Sequence, residues 1–260
     1  MRRCGESLIL NALRIANVDV CSGARSLARS LYLGPRRSET SDCRAQSLHA
    51  CPDGPWRGFT PALTRRKLDS HIDDVADILK GESLHGVTLV GHGYAGMVIT
   101  GVAERESGRL NRLIYVDAFV PRDGESALDL LPDPIQESFR EEAQANGEGW
   151  RLPARASLLD LWGLQPGAAR EYVRTRLCDF SLRCFEQKVR LPSNAAAKVH
   201  KTFIAAVGEN YPARFVFERF GERARRERWN YHELATGHDC HVGAPDRFVS
   251  LLLASIAHKS

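Results

Sequence analysis

The sequence has no long apolar run. Nowhere do the roughly 20 apolar residues needed to cross a bilayer follow one another. The apolar stretch Leu8-Ile9-Leu10 is interrupted at once by Asn11 and Arg14, which makes it too polar for a secretory signal. A basic stripe with interleaved aromatic side chains, typical of nucleic-acid binding, is also missing. These absences predict a cytoplasmic protein that binds neither membrane nor nucleic acid.

The sequence also lacks any pattern of closely spaced cysteine pairs. The chain has seven cysteines, an odd number, with no CxxC pair and no His/Cys spacing typical of a metal site. The sequence therefore implies no metal and no organic cofactor. Its 260 residues, 43% hydrophobic and 26% charged, are ordinary for one compact domain with a small insertion.

From residue 70 onward, strand-like and helix-like segments alternate, which favours a mostly parallel sheet with helices on both faces. The strands are predicted at 86–90, 113–116, 202–207 and 229–234, and the helices at 70–80 (capped by Ser70), 94–103, 212–225 and from Pro245 onward. Residues 122–197 contain helical pieces at 135–145, 155–163 and 167–178 but no strong strand. An insertion of this kind between two sheet strands predicts a cap over a site.

The segment from Gly91 to Gly96 reads GHGYAG and follows a buried strand. A strand, a tight turn and a helix with small flanking residues form the nucleophile elbow G-x-S-x-G, which exposes one side chain above the sheet. Gly93 stands where the serine nucleophile belongs, and glycine offers no hydroxyl for an acyl-enzyme. Glycine does relieve the backbone strain of this turn at positive φ. The side chains of His92 and Tyr94 are expected to point away from the apex and not to replace the serine.

Four further segments carry a resemblance: 96–104 (GMVITGVAE), 113–126 (LIYVDAFVPRDGES), 236–239 (TGHD) and 244–246 (APD). Over roughly residues 59–256, the chain resembles α/β-hydrolases of a small bacterial esterase branch, related to plant methyl esterases and hydroxynitrile lyases. The resemblance implies an α/β-hydrolase fold with a helical cap at about 122–197. The predicted domain spans residues 58–260.

His238 is the candidate base, because it lies in the loop after the last core strand, where the histidine of the catalytic triad lies in this fold. His241 is three residues further on and is expected to face elsewhere, and His232 lies within a strand. The backbone N–H of Tyr94, the residue after the elbow apex, is the candidate oxyanion donor. The second donor of the family comes from a His-Gly loop near the N-terminus, and residues 1–57 show none.

Two residues compete for the role of the acid that orients His238. Asp117 ends the strand after the elbow helix, and the resemblance favours it because an aspartate recurs there in the branch. Glu209 follows the strand 202–207, at the more common position for this acid. Asp117 is preferred, and Glu209 stays open.

Residues 1–57 differ from the rest of the chain. They hold nine arginines, no lysine and four of the cysteines, with weak periodicity. One hypothesis is that this segment comes from a mistaken start or a shifted reading frame. The other is a divergent N-terminal segment that supplies its own strand at about 8–20.

The resemblance predicts an esterase-like α/β-hydrolase. Because Gly93 stands in the place of the serine, we expect the protein to be impaired or inactive as an esterase. The alternatives are a non-covalent enzyme that depends on His238 and Asp117 (lyase-like or a general-base hydrolase) and a protein that only binds a small molecule. The expected ligand is a small apolar ester or carbonyl compound. Six apolar residues of the predicted cap suggest this ligand. The simpler interpretation is that most of them pack the cap onto the core. They are Phe139, Trp150, Leu158, Leu159, Leu161 and Trp162.

Overall fold

The structure is a computed structural model that describes residues 66–257. Within this range the strands are β1 (Val87–Gly93), β2 (Leu110–Ala118), β3 (Arg151–Leu152), β4 (Phe180–Ser181), β5 (His200–Ala206) and β6 (Asn230–Leu234). Four of them form a parallel sheet in the order β1-β2-β5-β6. The atypical segment 1–57, its possible strand at 8–20 and the start of the resemblance near residue 59 lie outside the described residues.

The helices alternate with the strands of the sheet. In the described part of the chain they are α1 (Leu68–Gly81), α2 (Ala95–Glu106), α3 (Asp133–Asn146), α4 (Leu158–Leu161), α5 (Ala168–Arg174), α6 (Leu182–Glu186), α7 (Phe215–Arg226), α8 (Cys240–Gly243) and α9 (Pro245–Ala257). Short 3-10 turns occur at Ser107–Arg109, Ala195–Lys198 and Pro212–Arg214. The predicted alternation of strands and helices is therefore confirmed.

The sheet is buried on both faces, as expected for parallel strands covered by helices. All seven residues of β1 are buried, and so are the last seven of the nine residues of β2. Because the strands are parallel, their carboxyl ends meet at one edge. That edge holds Gly93 at the end of β1 and Asp117 near the end of β2.

The N-terminus of α1 differs from the prediction that Ser70 caps it. The helix begins at Leu68, and its N-cap is Lys67, in an extended conformation. Ser70 is the third helical residue, and its Oγ accepts a hydrogen bond from the N–H of Lys67 at 3.3 Å. The serine side chain thus bonds backward to the start of the helix, as the third helical residue does in a capping box.

Helices α3 to α6 and two short strands lie between β2 and β5, where the sequence predicts a cap. Strands β3 and β4 pair antiparallel, Arg151 with Ser181 and Leu152 with Phe180. Two-residue strands leave no periodicity to read, so the sequence gives no sign of them. The backbone carbonyl of Trp162 accepts a hydrogen bond from the N–H of His238 at 2.9 Å, which holds this segment against the site.

None of the helices within residues 66–257 has the length and apolar character required to cross a membrane.

Candidate active site

The turn between β1 and α2 has the geometry of a nucleophile elbow with glycine at its apex. Gly93 has a φ of +56°, in the left-handed region that favours glycine. Its carbonyl accepts a hydrogen bond from the N–H of Phe119 at 3.1 Å. The flanking Gly91 allows strand and helix to approach closely, because a Cβ there would lie 2.8 Å from the carbonyl oxygen of Ala95. The predicted strand-turn-helix is therefore present.

His238 lies directly over this apex. A Cβ built on Gly93 would be 3.0 Å from Nε2 of His238 and 3.3 Å from its Cε1. The imidazole is buried between two other rings, with Phe217 stacked at 4.9 Å and His92 at 4.1 Å between centroids. The histidine therefore faces the position from which a serine hydroxyl would project.

Asp117 holds the other side of the His238 ring. Its Oδ2 lies 2.7 Å from Nδ1 of His238, and both side chains are buried. Tyr211 donates its hydroxyl proton to the same Oδ2 at 2.6 Å and lies 3.2 Å from Nδ1 of His238. Asp117 itself has a φ of +42°. Strained backbone of this kind is concentrated at functional sites.

Burial controls the charge of the His238–Asp117 pair. It raises the pKa of Asp117 to about 7, although the hydrogen bond from Tyr211 acts in the opposite direction. It lowers the pKa of His238 to about 3, so the imidazole is neutral at neutral pH. In the tautomer whose Nδ1–H donates to Asp117, the lone pair is on Nε2, the nitrogen that faces Gly93.

Glu209, the competing acid, is placed elsewhere. It follows β5 and lines an open cleft of about 410 Å³, together with Asp160, Leu164, Pro166 and Tyr211. No hydrogen bond joins Glu209 to His238 among the described residues, whereas Asp117 makes one directly. The geometry therefore brings together Gly93, His238 and Asp117 and leaves Glu209 at the cleft.

Tyr94 is the residue that directly precedes α2, so its N–H lies at a helix terminus, where backbone donors lack partners within the helix. Its side chain points away from the apex, as expected, into a cluster of cap residues. The rings of Phe180 and Phe185 lie 5.4 and 5.3 Å from it. This aromatic cluster joins the elbow to the cap and carries no sequence signal of its own.

His92 and His241, which were expected to point away from the site or to play no part in it, both lie close to it. The Nε2–H of His92 donates to the carbonyl of His238 at 2.9 Å, so this side chain helps to hold the His238 segment in place. The His241 ring is buried 5.2 Å from that of His92. The expectation that His241 faces away from this region does not agree with that position, because the short helix α8 turns the side chain inward.

Tyr211 and Phe217 are site residues that the sequence did not reveal. They come from the segment between β5 and α7 and from α7 itself, and neither lies in a recognisable motif. Only the fold brings them to the His238 ring.

The sequence model of the Alpha/beta hydrolase family matches residues 26–251. The chain belongs to the α/β-hydrolase family. The match begins within the segment 1–57, and the predicted boundary at residues 57 and 58 stays a prediction. The site built on β1, β2 and the loop after β6 thus lies in an α/β-hydrolase fold, with Gly93 at the apex of the turn.

The relatives of this α/β-hydrolase include esterases. A carbendazim-hydrolysing esterase from Nocardioides sp. (strain SG-4G) is 31% identical over 196 residues, which are 72% of this chain and 78% of that protein. An extracellular α/β-hydrolase from a Paenibacillus species has a TM-score of 0.64 at 18% identity, covering 74% of this chain and 81% of its own. Tomato methylketone synthase I, in complex with 2-tridecanone, has a TM-score of 0.59 at 17% identity, with 74% and 80% covered. These likenesses confirm the esterase-like α/β-hydrolase fold.

Proposed function

We propose that this protein has the architecture of an ester hydrolase but forms no acyl-enzyme at its elbow, and that it is impaired as an esterase. The observation that carries the proposal is Gly93 at the apex, with Nε2 of His238 3.0 Å from the place where a Cβ would be. A triad that lacks its nucleophile retains only about 10³–10⁴-fold acceleration over water. The remaining groups cannot form the covalent intermediate at this position.

The other parts support descent from a working esterase. The hydrogen bond between His238 and Asp117, at 2.7 Å, is the contact that orients the base in a catalytic triad. The Tyr94 N–H at the start of α2 is available as one oxyanion donor. Of the triad and this first donor, the part that the described residues lack is the hydroxyl.

The test restores the hydroxyl. The unmodified protein, Gly93→Ser and Gly93→Ala are compared in the hydrolysis of p-nitrophenyl acetate and butyrate. Gly93→Ala is the matched control, because it adds the same Cβ without the oxygen. We expect a gain only in Gly93→Ser, abolished when His238→Ala is added. The gain is expected to be partial, since the imidazole must move a few tenths of an ångström to admit the new Cβ.

A fluorophosphonate probe distinguishes covalent chemistry from background hydrolysis. Intact-mass analysis should show one adduct on folded Gly93→Ser and none on the unmodified protein. Rapid ester turnover by the unmodified protein together with a fluorophosphonate adduct would contradict the proposal. If Gly93→Ser folds but stays at background, the site lacks more than its nucleophile.

A second candidate is non-covalent chemistry, with His238 acting as a general base on a bound carbonyl compound or on water. The observation that favours it is the intact His238–Asp117 pair, with the lone pair of Nε2 facing the glycine. It ranks second because burial lowers the pKa of His238 to about 3, well below the value near 7 that suits a base at neutral pH.

The second candidate is tested with the ketone class found in the tomato structure. 2-Tridecanone in D₂O should exchange its α-protons faster with the protein than with His238→Ala, as read by mass spectrometry. Equal exchange with both proteins excludes base catalysis on this ligand. A thermal shift with the ketone but no exchange would favour a protein that only binds.

A further inference from the structure

Three buried side chains lie close together beside the segment that carries His238. His92 comes from β1, Asp239 directly follows His238, and His241 belongs to α8. One donor atom from each lies within 4.8 Å of the others, and the residues are only 6%, 2% and 7% exposed. Two imidazoles and a carboxylate thus converge in the interior of the protein.

The polar atoms of this cluster are not satisfied by one another. Among the described residues, Oδ2 of Asp239 and both ring nitrogens of His241 have no hydrogen-bond partner. A buried polar atom left in this state is unfavourable, so these atoms gain from an occupant that they can bind. Two ligands each about 2.0–2.2 Å from a zinc ion lie within about 4.4 Å of each other, so donor atoms spread over as much as 4.8 Å need to close by only a few tenths of an ångström to share one ion.

The donor types suit a divalent transition metal. Imidazole nitrogen and carboxylate oxygen are ordinary ligands of Zn²⁺, and three protein ligands are a common set for it. His92 also has the outer contact typical of a ligating histidine, because its Nε2–H donates to the carbonyl of His238 at 2.9 Å. That bond leaves the lone pair on Nδ1.

We propose that His92, Asp239 and His241 form a binding site for one divalent transition-metal ion of the Zn²⁺ type. The ion would join β1, which ends at Gly93, to the segment that begins at His238. It would therefore hold the His238 loop in place without touching the reacting atoms. The sequence gives no sign of the site, since its ligands come from separate segments with no recognised metal spacing.

The test uses the full chain, treated with a chelator and titrated with ZnCl₂ by calorimetry. The cysteines accessible in the folded protein are first alkylated, because the chain has seven and thiolates also bind zinc, whereas Cys240, buried between two of the ligands, is left unmodified. We expect one equivalent to bind. His241→Gln and Asp239→Asn should each weaken binding more than about 10-fold, since even outer-shell substitutions cost about 10–100-fold. The control His200→Gln, at an exposed histidine, should bind like the unmodified protein.

Circular dichroism shows whether the variants fold. If they do not, the unmodified protein decides: one equivalent of Co²⁺ should give a ligand-field spectrum of nitrogen and oxygen donors that ZnCl₂ displaces. Absence of binding by the alkylated protein overturns the proposal. So does binding that folded His241→Gln and Asp239→Asn retain, because the ion then sits elsewhere.

Discussion

A single carboxylate oxygen of Asp117 is in contact with two side chains of the site. The Oδ2 atom lies 2.6 Å from the hydroxyl of Tyr211 and 2.7 Å from Nδ1 of His238. Burial opposes the charge of this carboxyl, and each hydrogen bond offsets part of that penalty. Tyr211 is therefore part of what keeps an ionisable group stable in the interior.

Replacing Tyr211 by phenylalanine should lower the free energy of unfolding by about 1–3 kcal/mol, because the buried carboxyl of Asp117 loses a donor. Urea denaturation at neutral pH, followed by circular dichroism, measures the change. Tyr231→Phe is the control, since its hydroxyl bonds to Glu233 at the surface and its loss should cost less than about 1 kcal/mol. Equal effects of the two substitutions would show that the buried hydrogen bond of Tyr211 stabilises the protein no more than the surface hydrogen bond of Tyr231.

The apex itself shows how one residue separates structure from chemistry. Glycine fits the left-handed turn at Gly93 better than serine does, because it has no Cβ to strain at positive φ. Under the proposed function, a change from serine to glycine would therefore favour the fold of the turn while it removed the hydroxyl.

At the scale of elements, the close approach of α2 to the sheet depends on small residues. A Cβ on Gly96 would lie 1.9 Å from the carbonyl oxygen of Phe119, a backbone atom that cannot rotate away. Gly101 faces α1 in the same manner, with a Cβ position 2.2 Å from Cδ1 of Ile72. The helix can pack against both neighbours only because these positions have no side chain.

Gly96→Ala should lower the free energy of unfolding by about 3 kcal/mol or more, at or above the upper end of ordinary overpacking, because backbone must move. Gly108→Ala is the matched control, since a Cβ there meets nothing within 4 Å. Its effect should stay within about 0.5 kcal/mol. Thermal and urea unfolding of both variants measure the difference. A Gly96→Ala protein as stable as the control would mean that α2 can shift away from the sheet.

At the scale of the whole molecule, the far end of the cap segment is tied to the core by Glu104 on α2. Its Oε1 accepts from the N–H and hydroxyl of Ser193 at 2.6 and 2.5 Å, and its Oε2 accepts from the N–H of Ala195 at 2.8 Å. Partial burial alone would raise the pKa of Glu104. The hydrogen bonds from Ser193 and Ala195 outweigh it, so the pKa lies below its ordinary value of 4.5.

The stabilisation from Glu104 should depend on pH. Because its pKa is lower in the folded protein than in the unfolded chain, the contribution is complete above the unfolded pKa and is lost as pH falls through the folded one. Glu104→Gln should be less stable than the unmodified protein at pH near 7. The difference in free energy of unfolding between the two proteins should become smaller below about pH 4.5, near the pKa of a glutamate in the unfolded chain. Urea titrations of both proteins across this range provide the measurement, and a gap independent of pH would exclude the linkage.

The sequence by itself determined the order of the elements, the strand-turn-helix of the elbow and the glycine at its apex. These features depend on local patterns: buried strands, helical periodicity, and small residues around a tight turn. The same patterns put His238 after the last core strand and Asp117 at the end of a strand, while the preference for Asp117 over Glu209 came from the resemblance to the esterase branch. The fold places His238 and Asp117 2.7 Å apart.

Only the tertiary structure decided what surrounds that pair. Tyr211, Phe217 and His92 reach the His238 ring from three separate segments, and His241 turns inward through the short helix α8. Nothing local marks such residues, because their contacts arise from the packing of elements far apart in the chain. The choice between Asp117 and Glu209 is of the same kind: both follow sheet strands, and only the relative placement of strand ends and loops brings one carboxylate to the imidazole.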